Sequence, residues 1–280
     1  MNLGTHAYKE SSAPYTSVIV AVYKNVPFLE LVLLSLERQS YRNFEVIIAE
    51  DDEDSNMKNF IITARNNFSF PILHVHQPDE GFLKNKILNK AVLAANGKYL
   101  QFIDGDSVLH HNYLMEFVQQ AKEGYCLFGR RVYLDRQLTD KLLKSGNLQK
   151  LNLCNILLSQ SEQKKHAFYM PWVLKFQRAK VGFWGCSMGI MKSDLLMVNG
   201  FDEDYVRIGV GEDIDLEWRL LKAGIKLKSM KYVARQYHLF HGRSGREEDT
   251  KLNFQLLEKK KAAGQYFCKN GLSKLMRESA

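Results

Sequence analysis

Two aspartates one residue apart, Asp104-Gly105-Asp106, end the hydrophobic run Tyr99-Leu100-Gln101-Phe102-Ile103. Acids in that position suit a divalent cation that carries a phosphorylated ligand. Mg²⁺ and Mn²⁺ favour hard oxygen donors and are often shared between carboxylates and substrate phosphates. Neighbours along a strand point to opposite faces, so both acids reach one site only through the turn that Gly105 permits. A polar turn after a strand is the plainer alternative. A second cluster, Gly209-Val210-Gly211-Glu212-Asp213-Ile214-Asp215, opens an amphipathic helix. Acids in a first helical turn complement the macrodipole, which alone explains the acidity. It does not explain the flanking glycines, which let a substrate approach the backbone. A general base for a hydroxyl must be an ionised carboxylate or a histidine within hydrogen-bond reach. Asp213 fits best, with Glu212 beside it for acceptor hydroxyls and Asp215 expected on the helix surface.

His238 and His241 are three apart and share a face if the chain turns there. Imidazole suits Mn²⁺ as well as zinc, so one or both could complete a metal site with the acids. Glu50-Asp51-Asp52 follows another strand, where a carboxylate can accept a hydrogen bond from a base imide or a ribose hydroxyl. It reads equally as an acidic loop. Lys84 and Lys86 near Gly81 either meet phosphates as point charges or form a solvated face.

The elements that position these groups follow from periodicity. The β-branched run Tyr15–Tyr23 reads as a buried strand. Pro27 opens a helix over Phe28–Arg38. Strands over 44–49 and 71–76 bracket a helix over 55–67. A helix over Leu83–Ala95, ended by Asn96-Gly97, precedes the strand 99–103. Strand and helix alternate, which predicts an α/β layer with a mostly parallel sheet. Ligands of such sheets sit at the carboxyl ends of strands, where Glu50, Asp51, Asp104 and Asp106 all fall. Beyond 106 the spacing predicts a helix over 113–123, a strand over 125–132, a helix over 213–223 and a strand over 226–233. Residues 138–180 read as basic amphipathic helices inserted beside the cleft, and 251–276 as a basic helical tail. Residues 1–14 read as a leader, 15–245 as the main domain and 246–280 as the tail. Within the domain, 15–110 is the expected nucleotide-binding half and 111–245 the acceptor half.

The chain has 280 residues, a net charge of +8 and a pI near 9.1. Basic charge favours anionic membrane surfaces and phosphorylated substrates, and no nucleic-acid motif accompanies it. Cys126, Cys154, Cys186 and Cys268 show no CxxC spacing, which predicts reduced thiols and no zinc site in a cytoplasmic chain. Met1–Ser12 is polar rather than signal-like, and no run approaches the roughly 20 apolar residues of a membrane span. The two basic segments suit peripheral contact with the inner face of a membrane.

In order, the motifs resemble family 2 inverting glycosyltransferases with the GT-A fold, a Rossmann-like, mostly parallel sheet flanked by helices. The resemblance rests on Ser17–Tyr23, Gln39–Ile48, Glu50-Asp51, Leu88-Asn89-Lys90-Ala91, Gly97–Leu100 and Phe102–Asp106. The second half is similar to galactosyltransferases and chondroitin-polymerase-like enzymes through Trp184–Met188, Asn199–Glu203, Gly211–Leu216 and His238–His241. It covers residues 15–245.

The resemblance implies a nucleotide-diphosphate sugar donor, usually a UDP-sugar, with Mn²⁺ or Mg²⁺. Asp106 would hold the metal, and Asp104 the ribose or the metal. Asp51 would contact the base between Val22 and Tyr23, and Asp213 would deprotonate the acceptor. Trp184 is a candidate sugar-stacking platform, and Arg131 or Tyr133 a candidate for the acceptor side. The implied acceptor is a glycan or lipid-linked glycan in surface polysaccharide or lipopolysaccharide synthesis. The chain departs from the family pattern at Glu50, Asp52-Glu53 and Leu88. A noncatalytic nucleotide-sugar-binding module is a second reading. A sugar nucleotidyltransferase is a third, opposed by the absence of a glycine-rich basic loop after the first strand.

Overall fold

The computed structural model describes residues 15–172, 183, 185–211, 213–242 and 247–278. Its first part alternates β1 (Thr16–Val22), α1 (Val26–Glu37), β2 (Phe44–Glu50), α2 (Ser55–Asn67), β3 (Ile72–His76), α3 (Lys84–Ala94) and β4 (Tyr99–Asp104). All four strands run parallel, in the order β3-β2-β1-β4. Side chains alternate across the sheet. Val18 and Val20 therefore pack under α1 and α2 with Leu29, Leu33 and Ile61, while Ile19 and Ile47 pack under α3 with Ile87 and Ala91. Burial on both faces explains why β1 and β2 are nearly continuous apolar runs.

The second part adds β5 (Ser107–Leu109), α4 (Tyr113–Gln120), β6 (Tyr125–Phe128), β7 (Arg130–Tyr133), α5 (Arg136–Ser145), α6 (Leu153–Leu158), β8 (Ser187–Met191), α7 (Lys192–Leu196), α8 (Ile214–Lys222), β9 (Lys226–Ser229), β10 (Arg235–His238), α9 (Glu247–Ala262) and α10 (Leu272–Glu278). Strand β8 inserts antiparallel between β4 and β6, and β9 closes the seven-stranded sheet. A separate small sheet has the order β5-β10-β7. The fold is thus α/β with a mostly parallel central sheet flanked by helices, as expected.

The expected single strand over 125–132 is two strands in different sheets. They part at Gly129, where a Cβ would lie 2.1 Å from Ser187 Oγ, so only glycine lets the chain cross there. The inserted segment is less helical than expected: α5 and α6 are short, and 173–180 lies outside the described residues. Leu138, Leu142, Leu148 and Ile156 pack against Val132, Tyr237 and Leu239 of the small sheet's neighbourhood. The basic tail packs on the domain. Leu257, Cys268 and Leu272 are buried, and Lys260 reaches inward to Asp202 and, at 2.6 Å, to Asp204. No helix among the described residues is long and apolar enough to cross a membrane.

His110, just after β5, gives the fold a pH dependence. Burial, the charge of Arg235 and the neighbouring His111 and Arg38 push its imidazole down to about 3. Arg235 Nη2 lies 2.6 Å from the ring. The unfolded chain takes up that proton near pH 6.5, while the folded chain does so only near 3. Stability is therefore retained above about pH 6.5 and falls as pH drops toward 3. Urea midpoints measured at pH 7.5 and pH 5 should diverge less in His110→Gln than in the wild type.

Candidate active site

The strand ends β1, β2 and β4 open on one side of the sheet, with the small sheet beside them. Antiparallel pairing of β5 with β10 sets His238 opposite Ser107, and the Leu239 N–H bonds the Asp106 carbonyl at 2.9 Å. Distant segments thereby converge. His238 Nε2 lies 3.2 Å and His241 Nε2 3.0 Å from the same Asp106 oxygen, and the two imidazole nitrogens are 3.2 Å apart. All three ligand atoms fall within 4.8 Å of one another. The other His241 nitrogen faces the Gly242 carbonyl at 2.9 Å. A proton held on Nδ1 by that carbonyl leaves Nε2 as the donor atom aimed at the triad. Burial disfavours the Asp106 charge, but bonds from His238 and His241 outweigh it and hold the carboxyl well below the ordinary range. The bond that His241 gives to Asp106 in turn raises the His241 imidazole. Two imidazoles and one carboxylate, with an exposed edge at His241, form a donor set that fits a divalent transition metal.

Gly105 positions the turn by close approach. Its N–H bonds the Ala21 carbonyl at 2.7 Å, and a Cβ would meet that oxygen and Val22 Cγ2 at 3.0 Å. Asp104 does not join the histidines. It accepts from Lys84 Nζ at 3.0 Å and from Arg131 Nη1 at 3.1 Å, so a carboxylate and two cations sit beside the triad. Lys86, two residues from Lys84 on α3, points elsewhere, because positions two apart do not share a helix face.

Asp51 is 7% exposed and accepts from Gln77 Nε2 at 2.7 Å and from the Leu83 N–H at 2.8 Å. Burial raises its carboxyl despite both bonds. It therefore holds the 77–83 loop against the β2 end. Val22 is buried beneath, and Tyr23 is 55% exposed with its hydroxyl donating to Asp79 at 3.1 Å. Lys24 bonds the same Asp79 oxygen at 2.6 Å, joining the β1 end to that loop. Glu50 departs from expectation. Its side chain is sealed from solvent and paired with His74 at 2.7 Å, so it has no access to a ligand.

Asp213 caps α8, accepting from the Ile214 N–H at 2.7 Å. The turn before it needs unusual backbone: Gly209 has φ +80 and Val210 φ +75. Gly211 lies against Tyr205, where a Cβ would come within 2.4 Å of that side chain. Asp215 lies inside the protein rather than on the helix surface. It accepts from Tyr205 Oη at 3.1 Å and Arg219 Nε at 2.6 Å, both partners being buried. Arg219 also donates to the Val198 and Gly200 carbonyls. From the tail, Asn253 Nδ2 donates to the Arg207 carbonyl at 3.0 Å and to the Gly209 carbonyl. These contacts brace the loop that presents Asp213. Asp215→Ala should cost about 3–5 kcal/mol, because it leaves a fully buried guanidinium without its counter-charge. A urea titration of the variant checks this. Glu212 and Trp184 lie outside the described residues. Arg131 beside Asp104, and Tyr133, whose ring centroid is 5.2 Å from that of His238, complete the picture. Their β-strand register with β10 decides this, and it is not readable from local sequence.

A mostly parallel central sheet flanked by helices is the architecture of GT-A glycosyltransferases. The chain belongs to glycosyl transferase family 2, whose pattern it matches over residues 17–193, and residues 169–242 match the N-terminal domain of galactosyltransferase. It is 27% identical over 194 residues to a GalNAc(5)-diNAcBac-PP-undecaprenol beta-1,3-glucosyltransferase of Campylobacter jejuni, covering 69% of this chain and 56% of that one. It is 23% identical to the amylovoran biosynthesis glycosyltransferase AmsB of Erwinia amylovora, over 80% of this chain and 69% of that one. The chain thus spans little more than half of the Campylobacter protein. Among solved structures it shares its fold with GalNAc-T7 bound to UDP, GalNAc and Mn²⁺ (TM-score 0.61, 13% identity, 90% of this chain and 48% of that one). It shares it also with the mannosyltransferase PcManGT of Pyrobaculum calidifontis bound to GDP-Man and Mn²⁺ (TM-score 0.57, 15% identity, 84% and 59%).

Proposed function

We propose that this chain is a metal-dependent inverting glycosyltransferase. It moves a hexosyl or N-acetylhexosaminyl group from a nucleotide-diphosphate sugar, a UDP-sugar, to a hydroxyl of a glycan or lipid-linked glycan in surface polysaccharide or lipopolysaccharide synthesis. The observation that carries the reading is the convergence of Asp106, His238 and His241 at the strand ends, next to the Lys84–Asp104–Arg131 cluster. The relatives' names and the nucleotide-bound neighbours support the donor and acceptor classes.

The donor base and ribose lie over the half formed by residues 15–110, and the acceptor enters over 111–245. Tyr23 offers an exposed ring to the base. Asp51 retains lone pairs, beyond the two bonds it accepts, for an imide N–H. Asp104 is placed for a ribose hydroxyl, and Lys84 and Arg131 for the diphosphate. Asp106, His238 and His241 would hold the cation. Imidazole donors favour Mn²⁺ over Mg²⁺, which prefers oxygen ligands in near-ideal octahedral geometry. When bound, that ion neutralises charge on the diphosphate.

Asp213 takes the proton of the acceptor hydroxyl as its oxygen bonds the anomeric carbon. The carbon–oxygen bond to the diphosphate breaks on the opposite side, and the leaving group departs with the electron pair. One displacement inverts the anomeric configuration. Glu212 and Trp184 are assigned to the acceptor. Screening UDP-, GDP- and TDP-sugars for nucleotide release, with Mn²⁺ and with EDTA, tests the reading. Release from a UDP-sugar that depends on Mn²⁺ is expected. Binding of no nucleotide with or without metal would sink it.

A further inference from the structure

The small sheet has two faces, and β10 sends alternate side chains to each. His238 faces the triad, whereas Arg235 and Tyr237 line a separate cavity of about 240 Å³ behind it. Arg38, His110 and His111 line the same cavity. Among the described residues no carboxylate lines it, and neither Arg38 nor Arg235 has a carboxylate within ion-pair distance. The carboxylate whose charge reaches Arg235 is Glu116, and its Oε1 already accepts from Tyr169 at 2.6 Å. Arg235 also leaves its Nε buried with no hydrogen-bond partner. Burial pushes its guanidinium below the ordinary value, a penalty that a bound anion removes.

The rest of the lining is mixed, with Gln149 and Asn152 among aliphatic side chains. Leu148, Leu151 and Leu153 line the same cavity as the cations. Leu153 is also 39% exposed at the start of α6, and Leu157 follows it one turn on, on the same helix face, at 44%. Leu158 beside it is 87% exposed. The cavity therefore brings the exposed Arg38 and the exposed Leu153 into one lining with the less exposed Arg235, and Leu157 and Leu158 extend the apolar surface from Leu153 along α6. At about 240 Å³ it lies just below the roughly 300–1,000 Å³ of pockets that take a whole drug-sized ligand. It suits a phosphate and the carbons next to it better than a nucleotide-sugar.

We propose that this cavity binds the phosphate group of an anionic lipid, with Arg38 and Arg235 as charge partners and Leu153, with the neighbouring exposed leucines of α6, covering the start of the hydrocarbon. Guanidinium forks match phosphate oxygens, and the neutral His110, accepting from Arg235 Nη2 at 2.6 Å, adds no charge that would compete with the anion. The site lies apart from the Asp106 triad and does not depend on the proposed transfer reaction.

Calorimetric titration of the full chain with dihexanoylphosphatidic acid, below its micelle concentration, tests it. Inorganic phosphate and dihexanoylphosphatidylcholine serve as the other two ligands. Saturable binding of the phosphatidic acid is expected, with affinity lowered roughly tenfold or more in Arg38→Gln, as loss of a charge-assisted bond implies. Leu153→Ser should weaken the lipid and leave inorganic phosphate unchanged. Arg38 is exposed, so its variant should keep the wild-type melting temperature. Lys144→Gln, on the exposed surface of α5 outside the cavity, should bind as the wild type does. Equal affinity for inorganic phosphate would make this a free-anion site and overturn the lipid assignment. An equal loss in Lys144→Gln would overturn it as diffuse attraction, and so would the absence of saturable binding.

Discussion

Asp213→Asn should lower the rate of glycosyl transfer by about 10²–10⁴-fold, the range by which a positioned general base accelerates a reaction. The substitution is informative because of where Asp213 sits. It caps α8 through a bond from the Ile214 N–H, and asparagine caps a helix as well as aspartate does. The surrounding loop is held by groups the substitution leaves alone, including Asn253 on the Gly209 carbonyl and the Asp215–Arg219 pair. The melting temperature should therefore stay within a degree or two of the wild type, given that surface changes of this kind are worth about 0.5 kcal/mol or less. Nucleotide binding by calorimetry should also persist, since Asp213 is assigned to the acceptor hydroxyl. A rate loss with intact donor binding separates the base from the donor site. An unchanged rate would move the base elsewhere in the 209–215 turn.

The parts of this molecule that were legible in the sequence are those set by local periodicity. Strands β1 to β4 and the helices between them are read from apolar runs and caps because burial on both sheet faces leaves a continuous signal. The second half is built by long-range pairing. Strands β5 and β10 are short, and nothing local marks them; they exist because each satisfies the other's backbone. The motif at His238 and His241 was visible, but the pairing that brings it to Asp106 was not. Asp215 shows the opposite error. An aspartate four residues before an arginine on a helix looks like a solvated pair, yet here both side chains are buried, with Tyr205 and two carbonyls completing the bonds. Glu50 looked accessible at a strand end, but its neighbour strand supplies His74, which seals it. In each case the residue type was informative and the partner, fixed by tertiary register, decided the role.

Asp106→Asn should abolish Mn²⁺-dependent nucleotide binding and reduce transfer by roughly 10³-fold or more, because a catalytic metal contributes several kcal/mol and each 1.36 kcal/mol is tenfold. Asp106 is the one member of the triad that both imidazoles address, each Nε2 lying within 3.2 Å of its Oδ2. An amide at that position presents at most a neutral oxygen, or an NH₂ group, to the cation. It also removes the counter-charge that favours the imidazolium of His241. The fold should tolerate the change: the backbone bond from Leu239 to the Asp106 carbonyl, which ties β5 to β10, does not involve the side chain. Titration of Mn²⁺ by electron paramagnetic resonance, which distinguishes free from bound ion, reads the first effect without requiring turnover. His238→Ala should weaken the metal while keeping the Asp106 charge, so a graded loss across the two variants is expected. If Mn²⁺ binds Asp106→Asn as it binds the wild type, the metal lies elsewhere. The Lys84–Asp104–Arg131 cluster would then be left to bind the donor diphosphate by charge alone.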